Sequence, residues 1–232
     1  MLMERQDVAT ATPPAPRIRQ SLRIVQDQPH AWAALEGLVK AIDHHDPYTA
    51  AHSRRVAGTA TLLARLMGMD GASVEMVRQA SLVHDLGKIM VPAHVLNKAA
   101  PPTDEELDLM RSHPAQGARM LEAVRGMGRL APIVRHHHEH WDGTGYPSSL
   151  SGSNIPIGSR LIFVADAFDA MTSSRPYQPV MSSAAALDEI ERCSGRQFDP
   201  RVACVIQLAA EGSLLRLPEM DARPKAVAHS TV

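Results

Sequence analysis

Histidine is the residue this chain uses most unusually: twelve in 232 positions, several of them side by side. His84-Asp85, His113 and the run His136-His137-His138 bring together imidazole and carboxylate groups, the side chains that bind divalent metals and move protons. A buried imidazole or carboxylate is costly unless paired, and a metal ion is one such partner. His52, His84, Asp85, His113, His137, His138 and Asp166 each fall on, or at the end of, a stretch with a helical apolar stripe. Five imidazoles and two carboxylates exceed the four ligands of one zinc. They suit two ions, with an aspartate shared between them and positions left for water and substrate. Mixed nitrogen and oxygen ligands admit Mn, Fe, Co, Ni or Zn.

Each residue has an ordinary alternative. A lone His such as His52 is more often a hydrogen-bonded core residue, and a His-Asp dipeptide arises by chance. His136, His138 and His140 could form a polar helix face. Asp166 could be paired with an arginine, and Asp169, three residues on, shares its face and competes for the role. The joint pattern favours the metal: separate helices each bring one candidate ligand to the end of an apolar stripe.

The elements that must position these groups read as helices almost throughout, with no alternating strand, so the expected class is all-α, a single helical bundle. Asp46-Pro47 opens a helix as an N-cap followed by proline, and its stripe runs Val56, Thr59, Leu63, Leu66 and back to His52. A second helix carries Val74 and Val77 and continues to His84, with Gly87 ending it. Thr103 and Glu106 form a capping box for a short helix with Leu107 and Met110 inward, and His113-Pro114 restarts the chain. Leu130, Ile133, Val134, His137, His138 and Trp141 define the next stripe. A loop from Asp142 to Asn154 follows, of a length that is often functional. Pro156 starts a helix through Leu161, Val164, Phe168 and Met171, and helices near 183–194 and 200–210 close the bundle. Residues 1–29 read as a flexible N-terminal segment, 30–216 as the helical domain and 217–232 as a polar C-terminal tail.

Composition narrows the partners. With a net charge of −1 the chain has no cationic field for a nucleic acid polymer or an anionic membrane surface. Aromatics are 3%, so the core must be aliphatic. No stretch reaches the ~18 apolar residues of a membrane span, and the N-terminus lacks a secretory signal, so a cytoplasmic location is expected. Cys193 and Cys204, without a CxxC pairing, fit reduced thiols.

His84-Asp85-Leu86-Gly87-Lys88 reads HDxGK, and the run from His137-His138-Glu139 through Asp142-Gly143 to Gly145-Tyr146-Pro147 reads HHExxDGxGYP. Both resemble the signatures of HD-GYP domains, a branch of the HD-domain metal-dependent phosphohydrolases. His45-Asp46-Pro47-Tyr48-Thr49, His52-Ser53-Arg54-Arg55-Val56, His113-Pro114, Val164-Ala165-Asp166, Arg175-Pro176-Tyr177 and Gln197-Phe198-Asp199-Pro200 support the similarity, which spans about residues 30–210.

The resemblance implies an all-helical phosphodiesterase that hydrolyses cyclic di-GMP to GMP or linear pGpG with two or three metals, commonly iron or manganese. It implies His52, His84, Asp85, His113, His137, His138 and Asp166 as ligands, with Asp85 bridging, and so Asp166 over Asp169. Lys88 would sit by the scissile phosphate with Asp85 as the catalytic pair, and Arg175 would contact a phosphate. Gly145, Tyr146 and Pro147 would border the substrate. Tyr146 either stacks near the ligand or pins its loop on the bundle. Two ions sharing Asp85 would supply hydroxide near neutral pH, so no covalent protein nucleophile is needed. Some members carry a glutamate four residues before the first histidine for a third ion; here Tyr48 stands there, so two ions are expected. The often basic position three after Arg175 is Gln178, which weakens the expected phosphate grip.

Other readings are an HD phosphohydrolase acting on another nucleotide, including other cyclic dinucleotides, and a weakly active scaffold that recruits signalling proteins through the GYP loop. A homodimer is a further possibility, and no receiver or sensor stretch is legible.

Overall fold

The structure, a computed structural model, describes residues 33, 37, 49–98, 100–173, 180–212 and 214. The expectations for 1–29, for Asp46-Pro47 and Tyr48, for Arg175 and Gln178, and for 217–232 lie outside the described residues.

Nine α-helices carry the described chain: α1 (Thr49–Leu66), α2 (Gly71–Leu82), α3 (Ala93–Leu96), α4 (Asp104–Arg111), α5 (His113–Ala123), α6 (Ala131–Arg135), α7 (Ile157–Thr172), α8 (Ser183–Arg192) and α9 (Pro200–Glu211). Among the described residues the sole β pairing is an isolated bridge between Ser194 and Phe198, so the chain is all-α. No helix in the described residues is long and apolar enough to cross a membrane.

Local sequence explains most boundaries. Helix α1 ends in a Schellman motif: Gly68 takes φ 74°, the Met69 amide reaches the Ala64 carbonyl and Gly68 reaches Arg65. The Asp70 carboxylate accepts the Ser73 amide at 2.9 Å and caps α2. The capping box forms as expected, with Thr103 N–H on the Glu106 carboxylate and Glu106 N–H on the Thr103 hydroxyl. Ser182 caps α8, and Asp199 caps α9 ahead of Pro200.

Helix α7 lies at the centre, against α1, α8, α2 and α9, while α5 packs on the turn that follows α2 and on α6. The core is aliphatic as composition requires: Leu63, Leu121, Leu130, Leu161, Ile162, Ile190 and Ile206 are fully buried. All three phenylalanines, Phe163, Phe168 and Phe198, join it.

Three expectations need correction. Helix α2 stops at Leu82, so His84 and Asp85 sit on a turn that leads into a 3-10 segment, Leu86–Met90. The stripe from Leu130 to Trp141 is helical only over Ala131–Arg135, and His137-His138 lie on turns beyond it. Adjacent residues on an α-helix diverge by about 100°. Two neighbouring side chains can therefore face one point only where the helix has ended. Third, α4 buries none of its residues: Leu107 is half-buried and Met110 is exposed.

Candidate metal centre

Seven candidate ligands converge on one interior point from five segments. His52 comes from the first turn of α1, His84-Asp85 from the turn after α2, His113 from the start of α5, His137-His138 from the turns after α6, and Asp166 from mid-α7. Their ligand atoms form two tight groups, His52/His84/Asp85 and His113/His137/His138, each with all atoms within 4.8 Å of one another. Asp85 faces both: its Oδ1 is 3.4 Å from His113 Nε2, and its Oδ2 is 3.5 Å from His84 Nε2 and 4.0 Å from His52 Nε2. Asp166 Oδ1 stands 3.2 Å from His52 Nε2.

The imidazoles are oriented from behind. His84, His113 and His137 each turn Nδ1 to the carbonyl three residues earlier, on Ser81, Met110 and Val134, at 2.7, 2.7 and 2.6 Å. A carbonyl only accepts, so Nδ1 carries the proton and the Nε2 lone pair faces inward. His113 Nε2 and His137 Nε2 then meet at 3.3 Å with no proton between them. The buried Nε2 of His84 has no hydrogen-bond partner among the described residues. Facing lone pairs and an orphaned buried acceptor are what a cation relieves, so the donor set fits a divalent metal.

Electrostatics agree. Burial, reinforced by neighbouring imidazoles, holds His137 well below the ordinary histidine range, and burial pushes His138 down to about 3. Burial also lowers His113, against the pull of Asp85. These rings are neutral, as ligands must be. For Asp85 burial favours the neutral acid, but the surrounding His84, Lys88, His113 and His52 outweigh it and hold the carboxyl far below its usual value. His52 behaves oppositely: burial disfavours its charge, yet hydrogen bonds to Asp166 and Asp169 raise it to about 9. Lys88 Nζ donates to Asp85 Oδ2 at 2.7 Å.

Two glycines permit the assembly. A Cβ on Gly87 would drive into the His113 carbonyl and the Gly117 amide, so only glycine lets the turn after α2 lie on α5. A Cβ on Gly145 would strike the His140 nitrogen and the His138 oxygen. That contact seats the loop against the His137-His138 turn, where Tyr146 N–H donates to the His138 carbonyl at 3.2 Å. The Tyr146 ring stacks on His138, with centroids 5.1 Å apart and planes at 27°, and the Arg111 guanidinium lies over the same ring, 6.0 Å from its centroid. The Tyr146-Pro147 peptide is cis.

Two residues act as supports that sequence reasoning did not assign: Glu139 has no role in it, and Asp169 enters only as a competing ligand. Glu139, 2% exposed, accepts the Ser148 and Leu150 amides at 2.7 and 3.1 Å and ties the loop to the ligand turn; its place inside the motif was the available signal. Asp169 takes His52 Nδ1 at 2.7 Å and is held by the Arg55 guanidinium through both carboxylate oxygens. His136 and His140 turn away, to Glu139 and to Thr144.

The family model described as HD domain matches residues 37–202. The chain is 38% identical over 171 residues to the cyclic di-GMP phosphodiesterase response regulator RpfG of Xanthomonas campestris, covering 72% of this chain and 45% of the relative. It is 34% identical over 169 residues to the 3'3'-cGAMP-specific phosphodiesterase 2 of Vibrio cholerae, covering 71% and 32%. The chain thus spans less than half the length of these curated relatives. The solved cyclic GMP-AMP-specific phosphodiesterase V-cGAP3 of Vibrio cholerae superposes with a TM-score of 0.61 at 20% identity, covering 81% of this chain and 51% of that one, which shows the fold.

Proposed function

Because this chain belongs to the HD-domain family, in its HD-GYP branch, we propose that it is a metal-dependent phosphodiesterase that hydrolyses cyclic di-GMP, to GMP or linear pGpG. The observation that carries the reading is the inward set of Nε2 atoms, above all His113 and His137 at 3.3 Å with both Nδ1 atoms committed to carbonyls. The helical domain of residues 30–216 is the catalytic unit in this reading.

His52, His84, Asp85 and Asp166 would hold one ion and His113, His137 and His138 the other, with Asp85, which faces both groups, as the shared residue. Iron or manganese suits this mixture of imidazole and carboxylate. Bound divalent ions would supply Lewis acidity and an activated water. The chain's own groups do the rest. Lys88, 2.7 Å from Asp85, would serve as the cation beside a phosphoryl oxygen and would hand its hydrogen bond from the carboxylate to the substrate. Gly145, Tyr146 and Pro147 form the wall next to His138, and Arg175 is assigned to a substrate phosphate. Tyr48 and Gln178 stand as the reasons for two ions and for a weaker phosphate grip.

A related substrate has its own support: relatives named as cGAMP-specific phosphodiesterases match at 34–35% identity. Side-by-side assay of cyclic di-GMP and 3'3'-cGAMP on anaerobically purified, Mn- or Fe-loaded protein separates the two. Asp85→Ala should abolish turnover and lower metal content, while Arg175→Ala should raise KM with metal retained. Ions bound near two per chain without turnover of either dinucleotide would overturn the substrate, and protein that takes up no metal would overturn the mechanism.

A further inference from the structure

His52 is anchored unlike His84, His113 and His137. Those three rest on carbonyls of their own turns, so their orientation is a local property of the backbone. His52 rests on the carboxylate of Asp169, which α7 supplies across the interface with α1, and Asp169 is 6% exposed. Arg55, one turn after His52 on α1, grips Asp169 through Nε on Oδ1 and through NH2 on Oδ2 at 3.0 Å. The Arg55 side chain is 43% exposed, so the chain of contacts runs from solvent to the interior.

This relay has two consequences for the centre. A carboxylate behind Nδ1 strengthens the Nε2 lone pair and fixes the ring plane more firmly than a carbonyl does. The arginine fork also occupies both oxygens of Asp169, which stands one turn from Asp166 on the same face and could otherwise turn inward as a competing ligand.

We infer that Asp169, held by Arg55, is a positioning residue that sets the occupancy of one half of the centre, the His52/His84/Asp85/Asp166 half, and leaves the His113/His137/His138 half independent. The inference rests on the two-ion reading above. It makes the centre asymmetric, with one ion site whose affinity depends on an interhelical side-chain contact and another whose affinity does not.

The test is stepwise titration of metal-free protein with Co(II), read by absorbance, with ion content after desalting read by mass spectrometry. Native protein, Asp169→Asn, Asp169→Glu and Arg55→Ala are compared. The native chain should bind two ions. Asp169→Asn should keep one at native affinity and bind the other about 10–100-fold more weakly. Asp169→Glu should recover part of that loss. Arg55→Ala, a surface change that touches no ligand, should weaken the same single ion by a smaller factor. Native affinity for both ions in Asp169→Asn and Arg55→Ala, or equal weakening of both ions, would overturn the assignment. Native protein that binds fewer than two ions would overturn the two-ion reading, and this inference with it.

Discussion

His84-Asp85 and His137-His138 place ligands on consecutive residues, and each pair occupies a turn just beyond a helix end. On a continuing helix the two members would point about 100° apart. The same economy explains Gly145, whose missing Cβ lets the loop backbone lie on His138 and His140. Gly145→Ala must push the loop off the ligand turn or displace His138 itself. A displacement near 1 Å at a reacting centre costs about a hundredfold in rate. We therefore expect kcat/KM on cyclic di-GMP to fall by about that factor with the helical circular dichroism signal intact. Turnover within twofold of native would mean that the loop does not border the reaction.

At the scale of elements, the start of α9 is tied to α7 through a buried ion pair. Asp199 caps α9 by accepting the Arg201 amide at 2.9 Å, and it takes Arg160 NH1 from α7 at 2.6 Å. The Arg160 guanidinium lies 5.7 Å from the Trp141 ring centroid, and the Trp141 amide bonds the Gln197 carbonyl, so this corner also braces the loop that carries Tyr146. Asp199→Asn would leave Arg160 buried without its counterion, a loss of about 3–5 kcal/mol, measurable by urea unfolding. Burial raises the Asp199 carboxyl, but hydrogen bonds from Arg201 and Arg160 outweigh it and its pKa lies below the ordinary value. The unfolded chain therefore binds the proton more readily. The stabilisation is complete above the ordinary carboxylate pKa and is lost as pH falls through the lower folded value. Native protein should lose stability over that acid range, and Asp199→Asn should lose less there; identical pH profiles would remove the pair from the acid response.

Across the whole molecule the centre joins α1, α5, α7 and the turns after α2 and α6, segments from residue 52 to residue 166. Ions that bind the folded chain and not the unfolded one stabilise it by mass action, by about 2.7 kcal/mol per site at a hundredfold excess over Kd. For a domain of this size each kcal/mol moves Tm by about 2–4 °C. Chelation should thus lower Tm by roughly 5–10 °C per ion removed, followed by calorimetry with and without added Mn. A Tm indifferent to chelator would show that the centre does not cross-link these segments through metal.

The sequence by itself determined the helical class, the capping box at Thr103, the aliphatic core and the residue types able to bind a metal, because each is written in local spacing or residue type; the choice of Asp166 over Asp169 came only from the resemblance to HD-GYP domains. Tertiary structure alone decided three things. It ended α2 and α6 before their ligand pairs, since no local breaker separates Leu82 from His84 or Arg135 from His137. It captured Asp169 with Arg55, a partner 114 positions away, while Asp166, on the same face and one turn earlier, was left beside His52 Nε2. It also latched the long loop through Glu139. Periodicity assigns a face to a residue, but which of two carboxylates on one face backs His52 at Nδ1 together with an arginine, and which stands at its Nε2, is settled only when a second helix is packed against them.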